Sequence, residues 1–116
     1  MRVTSATIGL PVTDLDTSVA WYQRVLELGE PHQSPVEGVL EFDLGPVWLQ
    51  LFRQETPADE SRVAVRLGVE DVLAEHQRLQ GLGLEVEDVV LVERTLEFFD
   101  LQDPDGHLLT IYTVRS

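Results

Sequence analysis

The chain has 116 residues, no cysteine, and twenty-one Asp and Glu against eight Lys and Arg, a formal charge of −13. This length suits one domain (1–116) burying roughly two thirds of its unfolded surface, and the missing cysteine excludes disulfides, thiolate metal sites and a cysteine nucleophile. The charge repels phosphate backbones and anionic lipid, no signal-like leader precedes the first alternating stretch, and no apolar run nears the ~20 residues of a membrane span. Neither nucleic acid nor membrane is therefore expected as a partner, and the chain reads as cytoplasmic.

Val3 to Val12 alternates loosely as a strand, and Leu15, Val19, Tyr22 and Leu26 then recur at helical spacing. Asp16 or Thr17 is expected to cap that helix, and Gly29 before Glu30-Pro31 to stop it. Val39 to Leu44 alternates cleanly, Gly45-Pro46 turns the chain, and Val47 to Phe52 returns as a hairpin partner. A polar, proline-broken connection (about 54–61) separates units of about 1–53 and 62–116.

The second unit repeats the first. Ile8 to Leu15 matches Val65 to Val72, 57 residues further along, while Gln23-Arg24 and Gly29 match Gln77-Arg78 and Gly83 only 54 residues on. That change of offset predicts a second helix starting about one turn later relative to its strand. Strands are expected at Val86 to Val92, Leu96 to Gln102 and Leu108 to Val114, the last two joined through Asp103-Pro104-Asp105-Gly106, where proline presets a turn and glycine admits a positive φ. By analogy, the first unit should carry a poorly marked strand around His32 to Val36. The chain then reads as an α+β protein of two βαβββ units.

This repeat, the opening strand running into Val12-Thr13-Asp14-Leu15, and Phe98-Phe99-Asp100-Leu101-Gln102-Asp103-Pro104-Asp105-Gly106-His107 together resemble the vicinal oxygen chelate superfamily of glyoxalases, bleomycin-resistance proteins and extradiol dioxygenases. The resemblance implies units with curled mixed sheets, a cavity holding a divalent ion, metal ligands on the first and last strands of each unit, and a homodimer. Aligned here, those ligand positions are Thr7, Gln50, Ala64 and Thr110. Ala64 has no donor, and hydroxyls and an amide lack the charge and softness that hold zinc, nickel or iron. No cofactor is therefore expected, and a divalent metal would need ligands outside the pattern.

Those outside ligands would be the three histidines. His32 lies in a loop, His76 on the helical face with Val72 and Leu79, where a partly buried histidine is the plain reading, and His107 follows the turn, where exposure is expected. Alternation puts Trp48, Gln50 and Phe52 on one strand face, and Leu108, Thr110 and Tyr112 on another. Trp48 and Tyr112 are candidate aromatic walls, Phe52 a further ligand-binding candidate on the face of Trp48, with Gln50 and Thr110 as hydrogen-bonding groups and Glu41, Asp43 and Asp100 as acidic ones. The leading functional reading is a metal-independent, small-molecule-binding protein of the bleomycin-resistance type, sequestering a cationic or aromatic ligand. Two alternatives stand beside it: a metal-dependent lyase, isomerase or dioxygenase with unconventional ligands, and a degenerate domain serving protein association.

Overall fold

A computed structural model describes residues 1–55 and 62–115, so most of the expected connection at 54–61 lies outside the described residues. Among the described residues the architecture is α+β, with two helices and two mixed sheets, neither closed. The chain divides into two compact units, Met1–Arg62 and Val63–Ser116.

In the first unit, β1 (Thr7–Val12) runs into α1 (Leu15–Leu26), followed by β2 (Val39–Asp43) and β3 (Trp48–Arg53). The sheet order is β1-β3-β2, with β3 parallel to β1 and antiparallel to β2. Period-2 alternation sends Leu10, Val12, Phe42, Leu49 and Leu51 to the face under α1, where all are buried. The helix answers with Leu15, Ser18, Tyr22 and Val25, while Val19 and Leu26 flank that stripe half-buried. Each fully buried side chain of this kind contributes about 1.5–3 kcal/mol.

The cap of α1 is neither Asp16 nor Thr17. Asp14, in extended conformation, accepts the Thr17 N–H at 3.1 Å, and this bond holds its carboxyl below the usual carboxylate range. Asp16 instead sits in the first turn, facing the positive end of the helix dipole. The helix stops before Gly29: Glu27 takes the left-handed conformation, with φ 55°, and returns its N–H to the Gln23 carbonyl. The strand expected around His32 to Val36 shrinks to a single antiparallel bridge, Gln33 to Glu41. Pro31 and Pro35, which have no N–H to offer a ladder, bracket it.

The second unit comprises β4 (Ala64–Gly68), α2 (Val72–Gly81), β5 (Val90–Val92), β6 (Leu96–Gln102) and β7 (Leu108–Val114), in the sheet order β4-β7-β6-β5. Its core joins Val65, Phe99, Leu101, Leu109 and Ile111 to Val72 and Leu79 of α2. The expectation that α2 starts a turn late is wrong. Val72 keeps the 57-residue offset from Leu15, and α2 spans 10 residues against 12 for α1, so the changed offset reflects a shorter helix. Its cap is Asp71, which accepts the Ala74 N–H at 3.1 Å.

The strand expected from Val86 is regular only over Val90–Val92, although the Glu87 N–H already donates to the Asp100 carbonyl. His107 is the clearest correction, being buried at 2 % exposure rather than facing solvent. It shares parity with Leu109 and Ile111, so alternation points its ring to the core. There Nδ1 accepts the Val63 N–H at 2.9 Å, leaving the proton on Nε2, while its backbone N–H donates to the buried Asp103 carboxylate.

Candidate functional site

The sheet face turned away from the helix carries the polar candidates in both units. In the first unit, register places Gly9, Gln50 and Glu41 in one row across three strands, with Thr7 and Trp48 one step before, and Pro11 and Phe52 one step after. Glu41 is only 9 % exposed. One of its carboxylate oxygens accepts the Gln33 amide and the other the Gln50 amide, at 2.7 Å for the latter. These two neutral donors, Gln33 foremost, hold its carboxyl below the usual range by favouring the charged form.

The remaining first-unit candidates have other neighbours. Asp43 shares the face of Glu41, but its carboxylate accepts the Gly45 N–H at 2.8 Å and so belongs to the β2–β3 turn. Trp48 meets the His32 ring edge-on with centroids 6.0 Å apart, and His32 Nδ1 accepts the Asp43 N–H. Phe52 lies beside Gly9, whose missing side chain leaves space that the ring borders at 3.4 Å.

The corresponding face of the second unit bears a cavity of about 430 Å³, lined by Arg66, Leu96, Phe98, Asp100, Leu108, Thr110 and Tyr112. Its central row reads Arg66, Thr110, Asp100 across β4, β7 and β6, and the Thr110 hydroxyl donates to the Asp100 carboxylate at 2.6 Å. Tyr112 pairs in register with Gly68 on one side and Phe98 on the other, and its ring folds over Gly68. A wider groove of about 970 Å³ shares Phe98, Asp100 and Leu108, and adds the acidic Glu85, Glu87, Asp88 and Asp103.

Three of the eight candidate residues, Asp100, Thr110 and Tyr112, thus meet at one cavity. Sequence reasoning missed Arg66, Leu96 and Phe98. Arg66 was legible in principle, because it alternates with Ala64 on a strand already aligned with β1. Phe98 alternates with Asp100 in the same way.

Of the four positions where the family places metal ligands, Thr7 and Ala64 are exposed. Gln50 and Thr110 each donate a hydrogen bond to an acidic neighbour. His76 is half-buried, as its helical position suggests, with its ring edge-on to Phe99 and Nε2 2.9 Å from the Glu87 carbonyl. Among the described residues, no three His, Asp or Glu side chains gather closely enough to hold a metal ion.

Solved structures with this fold include a glyoxalase/bleomycin resistance protein from Catenulispora acidiphila (23 % identity, TM-score 0.78, 96 % of this chain and 98 % of that one). A bleomycin resistance determinant encoded on the transposon Tn5 is 21 % identical, with a TM-score of 0.81, over 98 % of this chain and all of its own, 100 %. Lactoylglutathione lyase from Agrobacterium tumefaciens is similar at 20 % identity and a TM-score of 0.80, over 97 % of this chain and 94 % of that one. No curated protein sequence matches the chain significantly. The model of the Glyoxalase/Bleomycin resistance protein/Dioxygenase superfamily matches residues 4–111, nearly the whole length, and the chain belongs to that superfamily.

Proposed function

We propose that this protein is a metal-independent binder of a small organic ligand, held in the cavity on the β4–β7–β6 face. The observation that carries the reading is a cavity of about 430 Å³ whose walls are mostly apolar and aromatic, with a few convergent polar groups from Arg66, Thr110 and Asp100. That size and mixture are typical of small-molecule pockets. Phe98 and Tyr112 suit an aromatic ligand body, since rings pack against rings in offset or edge-on geometry.

The residues at the family's ligand positions do not fit a divalent ion. Ala64 has no donor, and the Gln50 amide and Thr110 hydroxyl are neutral groups engaged with Glu41 and Asp100. The similar structures include a bleomycin resistance determinant, at an identity that carries fold and no ligand.

Two measurements test the proposal together. The purified protein, offered nickel, zinc, manganese or iron, is expected to retain no stoichiometric metal and to show an unchanged Tm. Small aromatic ligands are expected to shift the NMR amide signals of Phe98, Thr110 and Tyr112 saturably. Stoichiometric metal uptake with a raised Tm would overturn metal independence, and silence of those signals across aromatic ligands would remove the pocket.

A further inference from the structure

Building on the ligand-binding reading of this cavity, we infer that Arg66 anchors an anionic group, so that the ligand is an aromatic carboxylate and not an organic cation. The net charge of −13 favours the opposite at long range, since it draws cations toward the protein. The local arrangement differs from that average. Arg66 lies in register with Thr110, and Thr110 with Asp100, so one row crosses three strands on the cavity face. At roughly 4.8 Å per strand, the two charged residues are set about 10 Å apart along the row.

The opposite charges at the ends of this row are not equally committed. The Asp100 carboxylate is tied by the Thr110 hydroxyl at 2.6 Å. The Arg66 guanidinium meets no hydrogen-bond or ion-pair partner among the described residues, whereas Arg78 and Arg115 are paired with Glu75 and Glu97. Leu108 and Tyr112, one step before and after Thr110, border Arg66 with apolar and aromatic surface. Arg66 is itself exposed, and its guanidinium presents a planar fork that a carboxylate engages through two parallel charge-assisted bonds, while the bordering Leu108 and Tyr112 offer surface to the ligand's body.

The remaining geometry sets the ligand's other end. Phe98 pairs with Tyr112 across β6 and β7, which gives an aromatic body two rings to lie against while its acid group reaches β4. At the β4 end of the row an organic cation has the weaker claim, because Arg66 repels it there; Asp100, which keeps its charge, lies two strands away.

The test compares three probes of nearly equal shape, phenylpropionate, phenylpropanol and phenylpropylamine, by NMR titration of the full chain. The carboxylate is expected to bind about fivefold more tightly than the alcohol, the upper end for an ion pair with an exposed arginine, with the amine weakest. In Arg66→Gln the preference for the carboxylate should collapse, and in Arg66→Glu the order should invert toward the amine. Near-native Tm values for both variants, expected because the guanidinium holds no partner among the described residues, certify that they fold. A carboxylate preference that survives Arg66→Gln, or an alcohol that binds as tightly as the acid, overturns the inference while leaving the cavity's role intact. Failure of all three probes to shift Phe98, Thr110 or Tyr112 overturns the inference and the ligand-binding reading together.

Discussion

Gly68→Ala tests the way the Tyr112 ring is seated. A Cβ built on Gly68 would lie 3.1 Å from the ring's Cζ and hydroxyl oxygen and 3.3 Å from Cε2, inside the ordinary contact range that begins near 3.4 Å. The ring must therefore retreat by a few tenths of an ångström. Overpacking costs roughly 1–3 kcal/mol, and the low end, about 1 kcal/mol, applies because Tyr112 is only half-buried and has room to yield. Set against this is a gain of about 0.5 kcal/mol from the reduced freedom of the unfolded chain.

The net loss in the natural background should thus be about 0.5 kcal/mol, turning into a gain of about 0.5 kcal/mol when Tyr112 is first cut to alanine. Urea unfolding of the four proteins in a double-mutant cycle reads the difference, a coupling of about 1 kcal/mol, above the ~0.3–0.5 kcal/mol by which independent sites deviate from additivity. Equal effects of Gly68→Ala in both backgrounds would refute the contact between ring and glycine. The seating of one cavity wall would then need another explanation.

Two further predictions concern groups on either side of the sheets. Because Gln33 and Gln50 depress the Glu41 carboxyl below its ordinary value of 4.5, Glu41 adds stability that is fully present above that value and is lost as pH falls through the depressed one. Unfolding curves from neutral pH down through this window should show a shallower acid loss in Glu41→Gln than in the natural protein; parallel acid limbs would contradict the assignment. His107→Phe keeps a ring in the core but leaves the Val63 N–H without its acceptor, and should cost about 1–3 kcal/mol in denaturant unfolding. A loss below about 0.5 kcal/mol, within the usual range for an unimportant surface change, would show that this bond contributes little.

The elements most legible in the sequence were those whose alternation or helical spacing is long and uninterrupted. Leu96 to Gln102 and Leu108 to Val114 were readable to the residue, because seven-residue strands with one buried face leave little freedom of register. Caps were harder. Asp14 stands immediately before the first apolar helical residue and holds the cap, but Asp16 and Thr17 offer the same chemistry two and three residues on. The strand around Gln33 failed because an internal repeat transmits an expectation of topology without transmitting the amides that a ladder needs.

The candidate site was legible only in part, and for a related reason. Alternation picks out a strand face, so Thr110 and Tyr112 could be grouped from spacing alone, while Asp100 joins them only through the β6–β7 pairing. Which strands lie side by side is a matter of pairing, and the β4–β7 register is what brings Arg66 beside Thr110. Glu41 shows the same limit, since its Gln33 partner arrives from a loop eight residues earlier that carries no periodic signal.

The three-residue strand β5 has a practical consequence for handling the protein. It forms one edge of the second sheet, and Val90, Leu91 and Val92 are 45, 51 and 40 % exposed. Such an edge is a template for sticking to other chains, held in check by its shortness and by the charged Asp88, Glu93 and Arg94 around it. Collective repulsion from the net charge adds to that protection and disappears near the isoelectric point of about 4.3. Colloidal stability and shelf life should therefore be worst in acidic buffer near that pH, where the shield of like charge is gone.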